Sequence, residues 1–375
     1  MNSFIPCFRP LIEAEEKAAA VSALDLGWLG MGSFVQEFEN AIREELDITD
    51  REVVAVNTGH SAIHLGMILA NVGPGDEVIT PSFNNASDLQ AIRGVGADIV
   101  FCDVDPQTLC IDISKAEAMI TPRTRMIIGM DYALHICDHA ALAALAEAHG
   151  LRVLHDAAHS FGSTYQGQPV GSFSDMTMFS FDPIKNITCI DAGILIVKSA
   201  EERDQLHSMR LLGMTQEIST LYSNKRVSNY DIKGPGFRYH LSNSHAAIGL
   251  AQLAKFPRIK ENRKSYCRLY ERELAGIDAL RLPNGDYDEV TPFLFYVRVP
   301  EARRDAFRAH LASLQIETGL HWQPGHTYTS FAQSRCDDLA VTNKIGVELV
   351  TLPLHSDMSP QTLERVTDAV RSFFK

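Results

Sequence analysis

From about Val53 to Val197 the chain alternates short β-rich runs with helical runs, and Gly, Pro and Asp punctuate the changes. That is the pattern of repeated βα units, and it predicts a mainly parallel sheet covered by helices. The run V-V-A-V ends at Asn57, and Ser61 to Leu69 then carries apolar residues at helical spacing. Gly73-Pro74-Gly75-Asp76 turns the chain into E-V-I-T-P. The strands A-D-I-V-F-C-D-V-D and R-M-I-I-G-M follow. Asp138 is the expected cap of a helix that runs to Gly150. Leu151 to Leu154 is a strand whose end delivers Asp156, and the strands M-T-M-F-S-F and G-I-L-I-V flank the segment containing Lys185. A long helical segment from about Asn243 to Leu274 is expected to cross into a second unit built of short strands and helices. The predicted division is 1–245 for a large domain and 246–375 for a small one, with the N-terminal segment packing on the latter.

The 375 residues exceed what one hydrophobic core normally organises, which agrees with two units sharing an interface. A hydrophobic share of 45% and a charged share of 22% leave little room for a long disordered tract. The net charge of −13 argues against a polyanion-binding surface, so nucleic acid is not an expected partner. It leaves room for an anionic small ligand, because a few cationic groups or a helix N-terminus suffice to bind one. The seven cysteines are scattered and form no C-x-x-C pair, so they read as reduced thiols of a cytoplasmic protein with no metal site. No segment has the length and apolarity of a membrane span, and the first residues do not resemble a secretion signal.

Ligands of open α/β sheets sit beyond the carboxyl ends of strands, and three polar clusters fall there. In the first, Gly59 permits close backbone approach, and His60 and Ser61 stand at a helix start that favours a phosphate. An ordinary capping turn would read the same way. In the second, Asp156 follows a strand, suited either to a turn or to binding a protonated heterocycle. In the third, Lys185 lies in the loop after Ser180, where desolvation can lower an amine's pKa enough for Schiff-base chemistry. Each cluster alone has a bland explanation, and the combination is what carries weight.

The combination resembles the DegT/DnrJ/EryC1/StrS sugar aminotransferases. Matching segments run in order along nearly the whole chain: G-W-L-G-M-G near Gly27, G-P-G-D-E-V-I-T-P-S-F at Gly73, F-C-D-V-D-P-Q-T-L-C-I-D at Phe101, H-D-A-A-H-S-F-G at His155, F-S-F-D-P-I-K-N at Phe179, S-N-S-H-A-A-I-G-L-A-Q-L at Ser242 and L-P-L-H at Leu352. The resemblance implies the α/β fold type I of pyridoxal-phosphate (PLP) enzymes, with a seven-stranded sheet and a smaller C-terminal α/β domain. It implies an amino group moved from a donor such as glutamate, by way of pyridoxamine phosphate, to a nucleotide-linked keto-sugar. By the same resemblance Lys185 is the Schiff-base lysine, Asp156 pairs with the ring nitrogen, Ala158 packs under the ring and His159 lies near its phenolic oxygen. Ser180, Gly59, His60 and Ser61 are the implied phosphate site, and Asn85 and Asn243 are further implied cofactor contacts. Arg238 is expected to reach the phosphate from the second subunit of a homodimer, and His321 and His326 to lie near the sugar.

Three positions depart from the family pattern. Asn85 stands where an aromatic residue usually stacks on the ring, His60 replaces a Thr, and Ile190-Asp191-Ala192-Gly193 replaces G-E-G-G. They leave open a keto-cyclitol as acceptor, and a non-catalytic cofactor-binding protein remains a separate possibility. Related sugar dehydratases carry His in place of the lysine, so Lys185 speaks against that chemistry.

Overall fold

The structure is a computed structural model that describes residues 4–215, 218–225 and 229–375. Its centre is a sheet built from β1 (Glu52–Val56), β2 (Glu77–Pro81), β3 (Asp98–Cys102), β4 (Thr124–Met130), β5 (Arg152–Asp156), β6 (Met176–Ser180) and β7 (Gly193–Val197). A strand pair follows nearer the C-terminus, β8 (Phe295–Arg298) with β10 (Leu349–Leu352), and between them in the chain comes β9 (Arg335–Cys336). The order across the main sheet is β1-β7-β6-β5-β4-β2-β3-β9. Only β7 runs against its neighbours, β1 and β6.

The sheet thus has eight strands where seven were expected. The extra strand is the two-residue β9, which pairs in parallel with β3 and covers part of an otherwise open edge. Arg335 of β9 fixes this pairing by donating to Glu77 Oε2 and to the Met119 carbonyl, both at 2.8 Å.

Alternation along each strand explains why the runs are apolar almost throughout. Val54 and Val56 of β1, and Leu195 and Val197 of β7, enter one core cluster with Ile63 and Leu65 of the helix Gly59–Leu69. Val53 and Ala55, with Ile194 and Ile196, enter another that includes Val35 and Phe38 of the helix Ser33–Glu45. Successive side chains point to opposite faces, and both faces are covered, so both sets must be apolar.

The long helix expected from Asn243 to Leu274 is two helices, Asn243–Ala254 and Phe256–Leu274. Pro257 stands in the first turn of the second; it has no N–H for the Leu253 carbonyl and its ring clashes with the preceding turn. The N-terminal segment pairs with the C-terminal part of the chain, as Ile5 N–H donates to the Gln315 carbonyl and Glu317 N–H to the Ile5 carbonyl, both at 2.9 Å. All seven cysteines are free, and all but Cys336 are buried. Among the described residues no helix is long and apolar enough to cross a membrane.

One buried cation ties the second helix to the chain that lies over the sheet. Arg263 is fully buried and, among the described residues, bonds no carboxylate; its Nε donates to the Pro292 carbonyl at 2.7 Å, and its terminal nitrogens donate to the Phe293 and Leu354 carbonyls and to Ser356 Oγ. Burial lowers its pKa to about 10. Truncation of Arg263 strands three buried carbonyls, so Arg263→Met should lower the free energy of unfolding by about 3 kcal/mol, read as an earlier urea midpoint.

Candidate active site

The carboxyl ends of β1, β5 and β6 converge on one cleft. It is lined by Gly59, His60, Asn85, Asp156, Ala158, His159, Ser180 and Lys185, together with Ile63, Ser87, Met130, Met178, Asp182, Ile184 and Trp322. Eight residues singled out in the sequence therefore meet in one place. A larger hollow of about 610 Å³, between the helix His139–His149 and Lys198, holds none of them.

After β1 the chain turns through Thr58, whose side chain caps the helix by accepting from Ser61 N–H at 3.0 Å. The leading N–H groups, at Gly59 and His60, are the ones without an intrahelical acceptor, and they belong to residues of the cleft wall. A Cβ at Gly59 would lie 2.9 Å from Ser180 Cβ, so glycine is what lets the helix start close on the end of β6. Gly193 is equally constrained, since a Cβ there would lie 2.3 Å from the Thr58 carbonyl oxygen. Ser61 does not line the cleft; its hydroxyl is buried and donates to Asn57 Oδ1 at 2.8 Å.

Asp156 ends β5 buried, with Oδ1 accepting from Ala158 N–H at 2.9 Å. Burial raises its pKa to about 6, while the Ala158 N–H and the nearby Lys185 pull the other way. Lys185 sits in a tight loop in which its own N–H donates to the Asp182 carbonyl at 3.0 Å. Its Nζ lies 4.3 Å from the centre of the Phe293 ring. Desolvation lowers the amine to about 8 against the opposing pull of Asp156, Asp182 and Asp88.

His159 accepts the Ala133 N–H on Nδ1 at 3.2 Å, which leaves the proton of the neutral ring on Nε2. Burial, followed by Lys185 and His321, holds its pKa well below the usual histidine value. The ring packs on Phe293 and Trp322 at centroid distances of 4.4 and 5.8 Å. Asn85 is occupied structurally: it caps the helix Ala86–Gly94 by accepting from Ser87 N–H at 2.8 Å. His60 Nδ1 lies 3.1 Å from the Ser87 carbonyl.

Behind the cleft, the buried Asp131 carboxylate receives four donors: Cys137 N–H, His139 Nε2, His155 Nε2 and Ser160 Oγ. Burial alone would raise its pKa, yet His155 and His139 hold it far below the ordinary range. The cluster has the residue types of a metal site, but its carboxylate is already saturated by N–H and O–H groups.

Besides Ser61, four expected site residues lie off the lining. Arg238 is exposed, its backbone bridged to Leu211. Asn243 is buried and donates to the Trp28 carbonyl at 3.0 Å. His326 bonds Ser82 Oγ at 2.7 Å and Asn343 Oδ1 at 3.1 Å. His321 bonds Thr351 Oγ1 at 3.0 Å, close enough to Lys185 that the amine helps depress the imidazole to about 4 after burial has done most of it. Sequence reasoning passed over Trp322, Phe293 and Asp88. Trp322 stands between two histidines already in view, whereas nothing local marks Phe293 or Asp88.

A desolvated amine, a buried carboxylate and open helix N–H groups in one cleft are the parts of a carbonyl-amine enzyme with an anionic ligand. A family model for the DegT/DnrJ/EryC1/StrS aminotransferase family matches residues 10–371, and the chain belongs to that family. Its members are PLP-dependent enzymes, so the expected enzyme class and cofactor hold with the membership.

Among solved structures, the aminotransferase TlmJ from Streptoalloteichus hindustanus is similar at 28% identity, with 98% of each chain covered and a TM-score of 0.91. Spr1654 from Streptococcus pneumoniae, proposed as a sugar aminotransferase and solved in its PLP form, shares 25% identity over 99% of each chain, with a TM-score of 0.91. DesV of S. venezuelae shares 28% identity over 99% of each chain, with a TM-score of 0.88.

The lowered pKa of Lys185 has a measurable sign. Its amine loses its proton as pH rises through about 8, so trapping of Lys185 by a small aldehyde and a reductant should rise up to that pH and then level off. Peptide mass spectrometry would read this, and a lysine in water would level off only near pH 10.4.

Proposed function

We propose that this protein is a sugar aminotransferase that takes an amino group from an amino acid, glutamate in the simplest case, and gives it to a nucleotide-linked keto-deoxysugar. The observation that carries the reading is the meeting of Lys185 and Asp156 in one cleft, with a pKa near 8 for the amine and near 6 for the acid.

The residues present fit PLP. The carboxylate of Asp156, fixed by the Ala158 N–H, is suited to hold a protonated ring nitrogen, and Ala158 offers a small apolar surface beside it. Gly59, His60 and Ser180 would hold the phosphate through backbone N–H groups and a hydroxyl, with Ser61 fixing the turn behind them. His159 presents Nε2–H as a donor for the phenolic oxygen. When bound, PLP supplies an electron-accepting ring that stabilises the charge left when a proton leaves the carbon next to the amine nitrogen. Lys185 is the group placed to carry that proton between carbon atoms, because an amine with a pKa near 8 both accepts and releases protons near neutrality. Phe293 and Trp322 keep water from this exchange and leave the amine few partners other than the ligand.

A cytoplasmic homodimer is part of the proposal. Lys185 is the only Lys or Arg that lines the cleft among the described residues, so a doubly charged phosphate lacks a countercharge within one subunit. Arg238 is exposed, where a second copy could use it, and Phe4, Ile12, Val21, Leu24, Leu26 and Leu29 expose apolar surface that a second copy would cover. Free, mostly buried thiols suit a reducing compartment. We also assign residues 1–245 to the cofactor-binding domain, with 246–375 closing over it through Phe293 and Trp322.

Purified protein mixed with PLP, glutamate and a panel of ketones tests the acceptor. Amination of a nucleotide-linked keto-sugar is expected, and amination confined to keto-cyclitols would replace the reading. Lys185→Ala should abolish turnover and move the visible absorption of bound PLP to that of the unlinked aldehyde; retention of turnover would sink the assignment of Lys185.

The subunit arrangement has its own test. Arg238→Ala and Lys185→Ala should each be inactive alone, and mixed dimers should recover activity, because one site then combines an intact Lys185 with an intact Arg238 from the other chain. No recovery in verified mixed dimers would place Arg238 outside the partner's site.

A further inference from the structure

Asp88 lies on the helix Ala86–Gly94 and is completely buried. Its Oδ2 accepts from Asn84 Nδ2 at 2.7 Å, and the same amide donates to Thr80 Oγ1 at 3.0 Å, which fixes its orientation. Its Oδ1 is buried and meets no hydrogen-bond donor among the described residues. The carboxyl group of Asp156 stands within hydrogen-bonding reach of it. Two acid groups therefore meet at the base of the cleft.

Two ionised carboxylates in contact in a desolvated site cannot both persist, and a single proton between them turns repulsion into a short O–H···O bond. The surroundings decide where the proton resides. Asp156 has the Ala158 N–H, whereas Asp88 has only the neutral Asn84 amide. Lys185 acts on both acids, and Asp131 adds its negative charge at Asp156. Burial first, and the Asp156 charge second, push the Asp88 carboxyl well above the usual range.

We propose that Asp88 is a positioning residue that carries the shared proton and donates its carboxyl O–H to the Asp156 carboxylate. Asp156 then meets its ligand as one oriented anion held by two donors, Ala158 N–H and Asp88 O–H. The pair bears one negative charge, which matches the single positive charge of a protonated ring nitrogen. The orphaned Asp88 Oδ1 is thereby satisfied as a donor, with no further residue needed. This role rests on the reading that Asp156 pairs with the ring nitrogen of PLP, whereas the location of the proton does not.

Infrared difference spectra of the cofactor-free protein at neutral pH, parent minus Asp88→Asn, test the proton directly. The C=O stretch of a protonated, deuterium-sensitive carboxylic acid should be present in the parent and missing in the variant. A parent spectrum without that stretch overturns the proposal, whatever the protein catalyses.

In the holoenzyme, the positioning role predicts that Asp88→Leu, which removes the donor, raises the Kd for PLP by about tenfold or more, while Asp88→Asn, which keeps an N–H donor, recovers most of the loss. The nitrogen-15 shift of ring-labelled PLP should move in Asp88→Leu and return toward the parent value in Asp88→Asn. Equal Kd and shift in the parent and Asp88→Leu would overturn the role. Should Asp88→Leu fail to fold, the infrared comparison with Asp88→Asn still decides the central claim. A parent protein that binds no PLP but shows the carboxylic acid stretch would reject the cofactor reading and leave the proton assignment standing.

Discussion

A half-buried amine and a buried carboxylate at the carboxyl edge of one sheet set the terms for the rest of this structure. Charge is costly to bury, and Lys185 and Asp156 respond by shifting toward neutrality, to about 8 and about 6. Each also needs a fixed neighbour, because a loosely held charge would draw in water. The Ala158 N–H holds Asp156, the Asp182 carbonyl ties the loop of Lys185, and the Phe293 ring sits under its Nζ. The scaffold's regular features, from parallel strands to capped helices, bring these groups together and shield them in part from water.

Support for the site extends well behind it. The Asp131 carboxylate gathers two histidines, a serine and a backbone N–H just beyond β4, and its own N–H donates to the Asp156 carbonyl at 3.0 Å. Arg263 bonds the Phe293 carbonyl, so the segment that packs against Lys185 hangs on a buried cation that does not itself line the cleft. Asn85 caps a helix whose next buried acid is Asp88, which joins helix geometry to the electrostatics of Asp156. One position can therefore serve the fold and the site together.

The departures from the family pattern acquire physical meaning in this setting. With Asn85 serving as an N-cap, the cleft wall that usually offers an aromatic face presents a short polar side chain there. The rings that do crowd the lysine and His159, Phe293 and Trp322, come from late in the chain. His60 is held against the Ser87 carbonyl, so an imidazole fills space beside the helix start where a hydroxyl usually sits.

Lys185 and Asp156 could be found in the sequence because the parallel sheet fixes where chemistry must lie: beyond strand ends, in runs recognisable from apolar alternation and turn residues. The seven principal strands and the cap at Asp138 were legible for the same local reason. The break at Lys255 was also within reach, through Pro257, whereas the two-residue β9 carries too few residues to show any period.

What local pattern could not decide was which distant side chains share the cleft. Phe293, Trp322 and Asp88 reach Lys185 and Asp156 through tertiary packing, and only Trp322 comes from a segment the sequence had marked. Ser61, Arg238, Asn243, His321 and His326 resemble site residues in the sequence yet lie off the lining of the cleft. The desolvation that lowers the Lys185 amine likewise exists only once those segments close over it. Sequence determined the residues able to do chemistry and the strands that present them; only the folded chain decided which charges meet, and how far from water.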